Sequence, residues 1–132
     1  MKRISFAIIL ICLAGILLSA CGGSSMVVDE AMNGQTVKVK VGDTISLQIA
    51  GNITTGYSWQ VAEIDTTFLQ QVGDPDYKTD SSLTGAGGMY TFKFKAVYGG
   101  TTTLKLNYLR TWETNTAPIK TYDLTVEVLM PE

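Results

Sequence analysis

Tyr90-Thr91-Phe92-Lys93-Phe94-Lys95-Ala96 sets an apolar side chain at every second position with polar ones between. Successive side chains of an extended strand point to opposite faces, so this pattern describes a strand with one face in a core and one in water. The same period recurs on both sides of it. Upstream, Val37, Val39 and Val41 alternate with Lys38 and Lys40, and Ile45, Leu47 and Ile49 alternate with Ser46, Gln48 and Ala50. Tyr57, Trp59 and Val61 share a face, and Phe68 to Val72 is a weaker strand. Downstream, Leu104, Leu106 and Tyr108 form one face, and Tyr122, Leu124, Val126 and Val128 another. Gly42-Asp43, Gly73-Asp74-Pro75-Asp76 and Gly99-Gly100 punctuate these runs. No segment carries a helical period. About seven short strands separated by turn residues predict an all-β fold, an immunoglobulin-like antiparallel β-sandwich. Trp59, on an alternating inward face, is expected to pack between the sheets.

The N-terminus reads differently. Lys2 and Arg3 precede an almost unbroken apolar run from Ile4 to Leu18, and Ser19-Ala20 supplies small residues for cleavage. This is the pattern of a secretory signal, with an apolar run shorter than the ~20 residues a membrane span needs. Leu18-Ser19-Ala20-Cys21 resembles the bacterial lipobox, in which the cysteine becomes the lipid-modified first residue. The expected organisation is a lipoprotein signal over 1–20, a lipid-anchored flexible linker over 21–34 and one domain over 35–132. Cys12 falls within the signal, so Cys21 is the one cysteine left and no internal disulfide can form. The domain is expected outside the cytoplasm, in the periplasm or at the cell surface, held to a bacterial membrane through Cys21.

Composition narrows the chemistry. Removing residues 1–20 leaves eight Lys and Arg against twelve Asp and Glu, a net charge of −4. That balance opposes nucleic-acid binding, which needs basic patches for phosphate. The chain has no histidine. Ser-His and Cys-His activation of a nucleophile are therefore absent, as is the usual transition-metal ligand. The carboxylates are scattered without a paired motif. Neither an enzyme nor a cofactor or metal site is expected.

Strand parity then locates the working surface. In an up-and-down sandwich every second connection lies at the same end. The loop Gly51 to Gly56, the loop Gly73 to Gly88 and the loop Arg110 to Lys120 share one pole, and they are longer and chemically richer than those at the other. In the first, Gly51 and Gly56 bracket Thr54-Thr55, and Asn52 can hydrogen-bond its own loop. In the second, Gly85-Ala86-Gly87-Gly88 presents nearly bare backbone. In the third, Arg110 and Trp112 flank Thr111, and both types are enriched among interface hot spots. Loops on a rigid scaffold are where binding function resides.

Asn52-Ile53-Thr54-Thr55-Gly56-Tyr57, Gly85-Ala86-Gly87-Gly88 and Arg110-Thr111-Trp112 resemble, in order and spacing, the three signature loops of the chagasin-type inhibitors of papain-like cysteine proteases. The family pattern is Asn-Pro-Thr-Thr-Gly-Tyr or Phe, then Gly-x-Gly-Gly, then Arg-Pro-Trp or Phe. Ile53 and Thr111 thus stand where that pattern has proline. The resemblance implies a monomeric, reversible, competitive wedge whose Thr54-Thr55 tip enters the protease cleft near its catalytic cysteine. The other two loops would embrace the cleft, with Trp112 on an aromatic surface of the enzyme. The alternative expectation is a lipid-anchored immunoglobulin-like module that binds another protein ligand.

Overall fold

The computed structural model describes residues 23–131. The signal, Cys21 and Gly22 lie outside the described residues. Among the described residues nine strands form two sheets: β1 (Ser25–Val28), β2 (Thr36–Lys40), β3 (Thr44–Gly51), β4 (Ser58–Glu63), β5 (Leu69–Gln71), β6 (Asp76–Thr79), β7 (Gly88–Ala96), β8 (Gly100–Leu109) and β9 (Lys120–Leu129). One sheet runs β1-β3-β7-β5, with β6 also paired to β7, and the other runs β2-β9-β8-β4. The expected all-β immunoglobulin-like sandwich is what the chain builds.

The alternation read from sequence becomes the core. Ile45, Leu47 and Ile49 of β3 face Phe94, Phe92 and Tyr90 of β7 in antiparallel register. Leu104, Leu106 and Tyr108 of β8 sit opposite Leu124, Tyr122 and Lys120 of β9. All the apolar members of these sets are buried, as are Val37, Val39 and Trp59. The intervening Lys38, Lys40, Lys93 and Lys95 stay in water. Burial of this apolar surface is the main favourable term in a domain that has no cross-link to rely on.

Three details depart from the expectation. The pairing is not wholly antiparallel: β1 runs parallel to β3, and β2 parallel to β9. The chain puts β1 in one sheet and β2 in the other, crossing between them through a short 3-10 turn at Glu30–Met32 capped by Asp29. The segment 25–34, expected to be flexible linker, is therefore part of the domain. Its bonds explain why: Tyr122 Oη donates to the Asp29 carbonyl at 2.8 Å, and Ala50 N–H donates to Glu30 Oε1 at 3.1 Å. Finally, Asp76–Thr79, expected to be surface loop, is strand β6. Gly88 lies so close to the Lys78 carbonyl and the Tyr77 ring that no Cβ fits there, and this lets β6 close on β7.

Two buried tyrosines set an alkaline limit. Burial first, then Tyr108 and Tyr77 nearby, push the Tyr90 phenol up to about 12. Burial first, then Asp29 and Glu30, push Tyr122 up to about 12. A folded-state pKa above the unfolded value means the native state holds the proton more tightly. The associated stability is complete below about pH 10 and is lost as pH rises through about 12. Melting temperature should be level between neutral pH and pH 10, then fall, with a loss on the order of a few kcal/mol by pH 12. A melting curve still level at pH 12 would refute this.

Candidate functional site

The loop between β3 and β4 is a single 3-10 turn, Ile53–Thr55. Asn52 caps it in extended backbone (φ −138°, ψ 100°), with Oδ1 accepting from Thr54 N–H at 3.0 Å and from Thr54 Oγ1 at 2.6 Å. Thr55 Oγ1 donates to the Asn52 carbonyl at 2.6 Å. Both threonine hydroxyls are thus engaged inside the loop. Their methyl groups and the exposed Ile53 side chain remain as the chemistry of the tip, which carries no charge. Gly56 ends the turn in the left-handed region (φ 83°), where a side chain is strained. Gly51 serves a different purpose from the one expected: a Cβ there would strike the Tyr90 ring.

The three predicted loops meet at one pole, and hydrogen bonds tie them together. Asn52 Nδ2 donates to the Gly85 carbonyl at 3.0 Å, joining the first loop to the second. Arg110 Nε donates to the Thr55 carbonyl at 3.1 Å, joining the first to the third. Arg110 is itself held from two sides. Its guanidinium lies 4.4 Å from the Tyr57 ring centre, and Nη1 donates to Glu113 Oε1 at 3.1 Å. Trp112 extends over Gly56, so closely that a Cβ on Gly56 would collide with its ring. Beneath the assembly, Tyr108 Oη accepts from Asn52 N–H at 2.8 Å, and Trp59 Nε1 donates to the Ala50 carbonyl at 2.9 Å. The Tyr57, Tyr108 and Trp59 rings pack in series at 5.5 and 5.0 Å.

The thirteen candidate residues fall into three groups. Ile53, Thr54, Thr55, Gly85, Thr111 and Trp112 are exposed at the pole. Asn52, Gly56, Tyr57, Ala86, Gly87 and Arg110 are half-buried; of these, Asn52, Tyr57 and Arg110 brace the loops from within. Gly88 is buried in β7, paired with both Gly51 and Thr79. Leu83, 76 % exposed at the tip of the second loop, was missed. Its signal was an isolated leucine in the polar run Asp80-Ser81-Ser82-Leu83-Thr84. That tip is shaped by Asp80 N–H to the Gly87 carbonyl at 2.9 Å and Ala86 N–H to the Leu83 carbonyl at 3.2 Å. Ile53 on the first loop, Leu83 on the second, and Trp112 and Ile119 on the third are the large exposed apolar groups of the three loops.

Among the described residues there is no cluster of three or more His, Cys, Asp and Glu that could hold a metal. A two-sheet scaffold thus presents three cross-bonded loops with an uncharged apolar tip at one pole, the form of a binding protein. Residues 38–126 match the family model of the chagasin family peptidase inhibitors I42, and the chain belongs to that family. Chagasin of Trypanosoma cruzi is 34% identical over 89 residues, covering 64% of this chain and 81% of that one. The crystal structure of a cysteine protease inhibitor from Entamoeba histolytica superimposes with a TM-score of 0.72 at 26% identity, covering 80% and 96% of the two chains. The solution structure of Amebosin gives a TM-score of 0.68 at 30% identity, covering 81% and 100%. The chain is accordingly a peptidase inhibitor and not an enzyme.

Proposed function

We propose that this protein inhibits papain-like cysteine proteases reversibly and competitively, using the Ile53–Thr55 turn as a wedge with Leu83 and Trp112 on either side. The observation that carries the reading is the cross-bonding of the three loops, Asn52 to Gly85 and Arg110 to Thr55. Loops already fixed to one another lose little freedom on binding, and such preorganisation converts contact into affinity. A wedge whose hydroxyls are occupied by the side chain and the carbonyl of Asn52 also has little need of water. The test is titration of papain-like proteases against a fluorogenic substrate. Dose-dependent loss of rate, overcome by substrate and reversed on dilution, is expected. Full activity at micromolar inhibitor that is demonstrably folded would overturn the proposal.

Ile53 offers a sharper check. It occupies the first position of the 3-10 turn, after a residue in extended backbone, which is where proline fits best. Ile53→Pro should stabilise the loop by about 0.4–1 kcal/mol through the unfolded and unbound ensembles. Kd should fall by roughly two- to fivefold. Unchanged or weaker inhibition would show that rigidity at this position does not limit binding.

We also propose that Cys21 carries lipid and holds the domain to a bacterial membrane on its outer side. The support is the sequence Leu18-Ser19-Ala20-Cys21 after an apolar run. Mass spectrometry of the N-terminal peptide should find acyl groups on Cys21, and Cys21→Ser should release the protein from the membrane fraction. An unmodified Cys21 in a lipid-modifying host would overturn this.

A further inference from the structure

The end of the domain opposite the loops carries its own surface. Gly23 lies against the Gly42 carbonyl, Ser24 N–H donates to Asp43 Oδ1 at 2.8 Å, and Thr44 N–H donates to the Ser24 carbonyl at 2.9 Å. The chain therefore joins the domain beside the β2–β3 turn. Around that point three large apolar groups are exposed beside Lys40 and Lys95. Tyr98 is 56 % exposed, Met130 58 % and Leu129 39 %. They form one patch with the turn: Val41 N–H donates to the Leu129 carbonyl at 3.0 Å, Gly42 N–H to the Ala96 carbonyl at 2.8 Å, and Gly99 N–H to Met130 Sδ at 3.2 Å. Lys40 lines a recess there with Leu129 and Met130. The carboxylate of the turn, Asp43, is occupied by the Ser24 and Lys40 backbone N–H groups.

We propose that this pole is a membrane-docking face, seated on the bilayer that holds Cys21, so that the inhibitory loops are presented away from the lipid. The inference rests on the lipid reading of Cys21. Gly22 alone separates Cys21 from Gly23, and the two steps reach at most about 7 Å. The patch is thereby confined to the headgroup region, where an aromatic ring with a polar tip, a flexible thioether and a lysine are suited to the boundary between water and hydrocarbon. Strand β3 then fixes the orientation. It begins at Thr44, paired with Ser25 beside the tether, and ends at Gly51, where the wedge loop starts. Its eight residues at ~3.3 Å each hold the wedge roughly 26 Å from the docking face.

The test uses the full chain, lipid-modified in its host and reconstituted in vesicles, after mass spectrometry has verified acylation of Cys21. Brominated phospholipids quench only tryptophans close to the hydrocarbon. The native Trp59 and Trp112 should keep their emission in brominated vesicles. Tyr98→Trp should lose most of the emission that the added tryptophan contributes. Quenching of the native protein would mean the domain lies on its side or inverted, and would overturn the proposal. An unquenched Tyr98→Trp on acylated protein would overturn docking while leaving the lipid reading intact, and would redirect the patch to contact between copies of the chain. As a second variant, Met130→Trp places the probe across the patch and should be quenched likewise.

Discussion

Trp112→Ala should weaken inhibition by roughly 30-fold or more, the ~2 kcal/mol that marks an interface hot spot, while leaving the melting temperature nearly unchanged. The side chain is 66 % exposed, so the free domain gains little from it. It lies against Gly56, and that neighbour explains why the ring is useful. With no Cβ at Gly56, the edge of the indole closes on the exit of the wedge turn and continues its apolar surface. A cleft that accepts the turn must therefore also cover the ring, and truncation leaves that part of the interface unfilled. Trp112→Phe should retain most of the affinity, because a smaller ring can occupy the same position. Equal inhibition by Trp112→Ala and the parent would remove the third loop from the binding surface.

The fold was legible because period-two alternation survives intact in every long strand. Each buried apolar member of β3, β7, β8 and β9 sits on the face its spacing assigns, and Ser46, buried on the other face of β3, is the exception. What was hidden was short or dependent on a distant partner. Ser25-Met26-Val27-Val28 is too brief to alternate convincingly and becomes a strand only because Thr44 to Leu47 offers a free edge. Asp76 to Thr79 lies among turn residues, and only the absence of a side chain on Gly88 admits it to the sheet. The same asymmetry holds at the site. The three motifs and their shared pole could be read from order and parity. The bonds that join them could not, since Asn52 to Gly85 and Thr55 to Arg110 are separated by 33 and 55 positions. Gly88, buried in a sheet, reads from sequence as recognition surface because glycine serves close backbone approach equally well inside a sheet and toward a partner. Leu83 was overlooked because a single exposed leucine has no period.

Trp59→Ala should have the opposite signature to Trp112→Ala: a large loss of stability, about 3–5 kcal/mol, and a melting temperature lower by on the order of 15 °C or more. Trp59 is 3 % exposed, and its ring packs 5.0 Å from that of Tyr108. Deleting it opens a cavity between the sheets and leaves the Ala50 carbonyl without its indole donor. The consequence reaches the wedge. Ala50 lies two residues before Asn52, and Tyr108, relieved of its stacking partner, is the residue whose hydroxyl holds Asn52 N–H. Even at a temperature where Trp59→Ala remains folded, inhibition should be weaker, because the base of the turn is no longer fixed from below. Trp59→Phe separates the two contributions. It keeps an aromatic ring against Tyr108 but not the indole N–H, so the loss of stability should be smaller, the sum of one hydrogen bond, about 1 kcal/mol, and the volume lost with the larger ring. An unchanged melting temperature in Trp59→Ala would contradict the core position of this ring. Full inhibitory strength in a folded Trp59→Ala would show that the wedge is held by its own cap and by Arg110 alone.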